Sequence, residues 1–208
     1  MRSSHDLLLT LEPLVLASAS PRRSELLRSV GLVFEVAPSG AQENGVPGES
    51  PSMAALRWAR QKAKVVAEQY PDKWVLAADT IVVLEGRILG KPRNKDEAAA
   101  MLGKLSGSVH DVISGICLLR TDRNFQRSET VRTEVRFKRL TCSEIDAYVS
   151  TREPLDKTYA SICFDQGTAG QGRGLWNSGN GGLHGGAYMR FLYQRGGTPP
   201  VHDSELAA

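Results

Sequence analysis

"LVLASASPRRSELLRSVG", residues 14–31, is a strand that runs directly into a helix. The opening "LVLAS" (14–18) is a short apolar run of the kind buried parallel strands carry, and Ser20 followed by Pro21 supplies an N-cap and a first-turn proline. Leu26, Leu27 and Val30 give the helix one apolar face, and Gly31 stands where a C-terminal cap is expected. Two hydroxyls, Ser18 and Ser20, and two adjacent arginines, Arg22 and Arg23, gather at the junction. A helix N-terminus presents unpaired N–H groups and partial positive charge, so these residues make an anion site. Taken alone, the stretch fits a capped helix start with solvated arginines equally well.

Working outward, "VFEVA" (33–37) alternates as a strand, and the Gly-, Pro- and polar-rich residues 38–50 read as a mobile surface loop. Ser50 and Pro51 open a second helix, with Ala55, Trp58, Ala59, Lys62, Val65 and Val66 at helical spacing. Residues 74–92 predict a long strand, a turn at Glu85-Gly86 and a short returning strand stopped by Pro92. Asn94 caps a third helix, β-rich segments follow at 109–120 and 129–140, and 143–153 closes as a helix.

The 208 residues are 41% hydrophobic and 24% charged, which suits one globular unit rather than wholesale disorder. A net charge of +3 is too mild to demand nucleic acid or an anionic membrane, yet compatible with a small anionic ligand. Cys117, Cys142 and Cys163 are odd in number and widely spaced, so neither a disulfide framework nor a zinc site is indicated, and a reducing, cytoplasmic setting fits best. Residues 1–13 read as a short N-terminal extension, interrupted by Asp6, Glu12 and Pro13 before reaching signal-peptide length. No apolar run approaches the ~20 residues of a membrane-spanning helix.

Asp79 falls inside the apolar run "VLAADTIVVL". Isolated burial of a carboxylate costs several kcal/mol or more, so Asp79 must be paired, metal-bound or at a strand end facing a cleft, the structural alternative being an edge position or a capping aspartate. Thr80 beside it is either a ligand donor or a good strand former. Lys62, at the edge of an apolar helical face, and Lys91, before Pro92, add cationic groups for one anion, although snorkelling lysines are common. Glu43 is a loop acid, and Glu153, Asp156 and Lys157 form either a metal or ligand cluster or a mixture of the kind loops commonly hold. There is no GxxxxGKS loop, GxGxxG turn, HExxH pair or GxSxG elbow, and the four histidines lack metal-like spacing.

Five ordered motifs, "LASASPRRSELL", "ARQKAKVVA", "AADTIVVLEGRILGKP", "LSGSVHDVISG" and "STREPLDK", resemble those of the Maf family of nucleoside triphosphate pyrophosphatases across residues 14–157. The resemblance implies an α/β fold with an elongated mixed central sheet flanked by helices, two lobes around a cleft, and kinship with the inosine triphosphatase fold. It implies hydrolysis between the α and β phosphates with a divalent metal, Mg²⁺ or Mn²⁺. Asp79 then matches the general base, shared with Glu43 as metal ligand, and Ser18, Ser20, Arg22, Arg23, Lys62, Thr80 and Lys91 line the triphosphate. Arg22 and Thr80 match positions linked to substrate choice. S-A-S-P-R-R with A-D-T is similar to the dTTP/UTP subgroup, regarded as removing unwanted nucleotides. The family often forms dimers, so a homodimer is compatible; neither nucleic acid nor membrane is an expected partner.

Residues 158–208 depart from the family pattern, holding 11 of the 20 glycines, three acidic residues and no sustained periodicity, so they are expected to be poorly ordered. The glutamine that reads the base in the family has Gln171 and Gln166 as candidates. Codons for Asn180 to Gly186 can be chosen so that reading one base later yields Thr-Gly-Asp-Tyr-Thr-Ala-Val, similar to the family's missing G-D-Y motif. A frameshift would thus explain the tail. Two functions stay open: an active pyrophosphatase, or a catalytically impaired nucleotide-binding protein lacking its last strand and helix.

Overall fold

Every described strand joins one mixed sheet. The computed structural model describes residues 13–150. In chain order they form β1 (Leu14–Leu16), α1 (Pro21–Ser29), β2 (Glu35–Val36), α2 (Pro51–Ala67), β3 (Trp74–Leu84), β4 (Arg87–Leu89), α3 (Lys95–Leu105), β5 (Val109–Arg120), β6 (Phe125–Arg136) and α4 (Cys142–Ser150). The expectations for residues 1–12, for Glu153, Asp156 and Lys157, for Gln166 and Gln171, and for the tail lie outside the described residues.

The junction at 14–31 folds as expected in outline. β1 is wholly buried and pairs in parallel with both β2 and β3. α1 ends in a Schellman arrangement: the Leu32 N–H donates to Leu27 O, the Gly31 N–H donates to Arg28 O, and Gly31 takes a φ of 77°. One detail differs. Ser20 occupies the N-cap position but makes no side-chain cap; instead Ser18 Oγ accepts from the Ser20 N–H at 3.2 Å. Ser50 and Asn94 do cap their helices, accepting from the N–H groups of Met53 and Glu97.

Two strands differ from their predicted limits. β2 is only Glu35–Val36, because β1 offers just Val15 and Leu16 as register partners, and Val33 is left 82% exposed. β6 starts and ends earlier than the 129–140 expected. Its hairpin with β5 pairs Arg120 with Phe125 and Val109 with Arg136, so the partner strand sets both limits.

The central strand β3 organises the molecule. One edge is continuously paired with β5 from Val75 to Val83. The opposite edge is shared: β1 covers Trp74 to Leu76 in parallel, and β4 covers Val82 to Leu84 antiparallel. Between them, residues 77–81 have no strand partner on that edge among the described residues. On one face of the sheet, Leu76, Ala78, Ile116 and Leu118 pack with Leu27 of α1, while Val82, Leu84 and Val112 pack with Leu102 and Leu105 of α3 and Val149 of α4. Thr80 and Ser114 lie on β3 and β5 between these two apolar clusters. On the other face, α2 lays Ala55, Ala59, Ala63, Val66 and Ala67 on Val75, Ala77, Ile81 and Val83.

Candidate active site at the open edge of the sheet

The unpaired edge of β3 brings Asp79 and Thr80 to the cleft from opposite faces, since successive strand side chains alternate. Asp79 is 4% exposed and faces α2, where Lys62 Nζ donates to its Oδ1. The same ammonium donates to Glu43 Oε1 at 2.6 Å. Lys62 is itself withdrawn from solvent, whereas Glu43 reaches in from the exposed loop. Two carboxylates from separate segments therefore converge on one cation.

Their electrostatics differ. Burial pushes the Asp79 carboxyl above its ordinary value; the charge and hydrogen bond of Lys62 and the charge of Arg23 oppose this, while Glu43 adds to it. Desolvation is also the largest single influence on Glu43 and works upward. There, the hydrogen bond and charge of Lys62, a hydrogen bond with Asp79 and the field of Lys91 together outweigh it and hold the carboxyl below its usual range. Lys91, though exposed, is thus near enough to act on the site.

On the other face Arg23 reaches across from α1. Its Nη1 donates to Ser18 Oγ at 3.0 Å and its Nη2 to Thr80 Oγ1 at 3.3 Å. Thr80 Oγ1 lies 2.9 Å from Ser114 Oγ, its register partner on β5. Ser18, 6% exposed, thus serves two groups at once, orienting Arg23 and accepting from the N–H of Ser20. Arg22 is half-buried in the first turn of the same helix.

The structure hence brings together Ser18, Ser20, Arg22 and Arg23 at one helix start, and Glu43, Lys62, Asp79, Thr80 and Lys91 around the open edge. Sequence reasoning missed Ser114, although a hydroxyl inside the apolar run "VISGI" carries the same signal that exposed Asp79. It also missed what holds Glu43. The loop expected to be mobile is anchored: Arg57 pairs with Glu49, and both Arg57 Nη2 and Trp58 Nε1 donate to the Asn44 carbonyl. No sequence period reports such a contact.

A parallel strand running into a helix N-terminus, with arginines and lysines near two carboxylates at a sheet gap, places this α/β protein's charged side chains together at one edge of its sheet. Residues 13–168 match the family described as "Maf-like protein", and the chain belongs to that family. Its relatives include the dTTP/UTP pyrophosphatase of Syntrophotalea carbinolica, 48% identical over 71% of this chain and 68% of that protein. The dTTP/UTP pyrophosphatases of Anaeromyxobacter dehalogenans and Bacillus anthracis are 48% and 49% identical, covering 75% and 71% of this chain and 79% and 76% of theirs. The solved Ham1 protein of Staphylococcus aureus gives a TM-score of 0.43 at 14% identity, covering 61% of this chain and 72% of that one.

Proposed function

We propose that this chain hydrolyses nucleoside triphosphates, dTTP and UTP foremost, to the monophosphate and pyrophosphate. The observation that carries the reading is the meeting of Glu43, Lys62 and Asp79 at the open edge of β3, with Arg23 turned toward the same edge. The family and its relatives named dTTP/UTP pyrophosphatase support the same chemistry. Nothing in the described residues favours the impaired alternative.

Asp79 is the general base. Its raised pKa gives it more basicity than an ordinary carboxylate, which suits removal of a proton from an attacking water. Arg22, Arg23, Lys62 and Lys91 bind the triphosphate oxygens and stabilise charge developing on the departing pyrophosphate. Ser18 holds the Arg23 fork for this, and Thr80 and Ser114 fix its other end.

The residues present fit a divalent cation. Glu43 and Asp79 are hard oxygen donors that already converge on one positive group, Lys62 Nζ. Among the described residues no cluster of three or more His, Cys, Asp or Glu is found, so phosphate oxygens and water would complete the shell, as is usual for Mg²⁺. When bound, Mg²⁺ or Mn²⁺ would neutralise phosphate charge and polarise the scissile linkage.

No helix among the described residues is long and apolar enough to cross a membrane. The cytoplasm is the setting we propose, in keeping with an odd number of widely spaced cysteines, of which Cys117 and Cys142 are free, and a homodimer is compatible with the family. A panel of nucleotides scored for pyrophosphate release in Mg²⁺ or Mn²⁺ tests the activity. Asp79→Asn should lower turnover of dTTP by about 100-fold or more while the melting curve stays cooperative. Unchanged turnover would remove Asp79 from the reaction.

A further inference from the structure

We infer that Arg57 and Trp58 are positioning residues for Glu43, so that helix α2 sets the separation of the two carboxylates of the site. The inference rests on the reading of Glu43 as a metal carboxylate. A carboxylate on a loop with no regular structure has many orientations to lose before it can bind a cation. Here the carbonyl of the next residue, Asn44, accepts from Arg57 Nη2 at 2.8 Å and from Trp58 Nε1 at 3.1 Å. The Asn44 carbonyl lies in the planar Asn44–Gly45 peptide, so fixing it leaves only φ and ψ of Asn44 between the held plane and the peptide that follows Glu43.

The arginine is itself held. Its Nε and Nη2 donate to the two oxygens of Glu49 at 2.8 and 2.7 Å, a bidentate pair that locks the guanidinium plane. One side chain therefore grips the loop at two places, Asn44 and Glu49. Its Cζ lies 5.7 Å from the centroid of the Trp58 ring, which steadies both donors. Trp58 is buried among Ala54, Ala55, Ile81, Val83 and Ile113, so the indole N–H is anchored in the core.

The two donors sit on the helix that also presents Lys62. Trp58 and Lys62 are four residues apart on α2 and share a face. The same rigid element thus supplies the ammonium to which Glu43 binds and the donors that aim the Glu43 backbone. A partly exposed ion pair such as Arg57–Glu49 adds little to stability, so its loss should register in the site more than in the melt.

The experiment measures Mn²⁺ binding to the nucleotide-free protein by electron paramagnetic resonance, together with kcat and KM for dTTP, in Arg57→Ala, Trp58→Phe, Glu43→Gln and the double variant Arg57→Ala/Glu43→Gln. Trp58→Phe keeps an aromatic ring and deletes the N–H, so it serves if Arg57→Ala does not fold. Arg57→Ala should weaken Mn²⁺ binding by about tenfold, in the range of other groups that orient metal ligands, and Trp58→Phe should act in the same direction. In the Glu43→Gln background, Arg57→Ala should weaken Mn²⁺ binding no further. Mn²⁺ binding unchanged in the folded single variants, or weakened equally in both backgrounds, would overturn the inference. Wild-type Mn²⁺ binding and turnover in Glu43→Gln would instead overturn the reading of Glu43 beneath it.

Discussion

A carboxylate in the middle of a buried strand is tolerable only when a cation meets it, and Lys62 does so for Asp79. The anomaly was legible because Asp79 interrupts an apolar run, but the pairing was not, since Lys62 read as a further cation for the bound anion rather than as the partner of Asp79. A second buried titratable group behaves differently. His110 is 2% exposed against the Phe137 ring, and burial pushes its pKa down to about 4, with only Asp111 pulling it up. The unfolded chain therefore binds more protons than the folded one between the ordinary histidine value and about 4, so stability falls as pH drops through that window. The loss should approach about 3 kcal/mol by pH 4. Urea midpoints measured from pH 7 to pH 4 check this; His110→Phe should lose most of the slope, and an unchanged slope would assign it elsewhere.

Among the elements, α2 has the largest share in building the site. Its buried face is rich in alanine, which lets the backbone come close to the sheet, and Gly115 makes the closest approach. A Cβ there would lie 2.3 Å from the carbonyl oxygen of Ala55, a distance real contacts do not reach. Gly115 is also the register partner of Asp79, so the clash would fall beside that carboxylate. Gly115→Ala should push α2 outward, cost about 1–3 kcal/mol in a urea titration, and lower turnover by withdrawing Lys62 from Asp79. Wild-type stability and turnover in that variant would show that the helix has room to spare. Element limits were less legible than element types. β5 matches its predicted span because it is buried along nearly its whole length, whereas β6 is exposed along much of its length and takes its ends from pairing.

At the scale of the whole molecule, the site exists because β3 is longer than either strand that covers its outer edge. β1 and β4 leave the gap at 77–81, and one apolar cluster packs on each side of Thr80 and Ser114. We propose that the chain beyond the family match, which runs past Lys157 to residue 168, derives from a shifted reading frame, which would account for the glycine-rich composition there. The match to the family stops at residue 168 of 208. The gene's DNA tests this directly: a downstream alternative frame should encode the G-D-Y segment and a closing helix, and the absence of any family-like reading in either alternative frame would refute it.

The sequence by itself determined the strand-to-helix junction at 14–31, the order of the elements and the oddity of Asp79, because caps, hydrophobic period and a charge inside an apolar run are local properties of the chain. Only the tertiary structure decided that Lys62 bridges Glu43 and Asp79, that Ser18 and not Ser20 supplies the accepting hydroxyl at the helix start, that Ser114 stands behind Thr80, and that Arg57 and Trp58 hold the loop. These contacts join residues far apart in the chain. They depend on strand register and on how closely α2 packs at Gly115, neither of which leaves a period in the sequence.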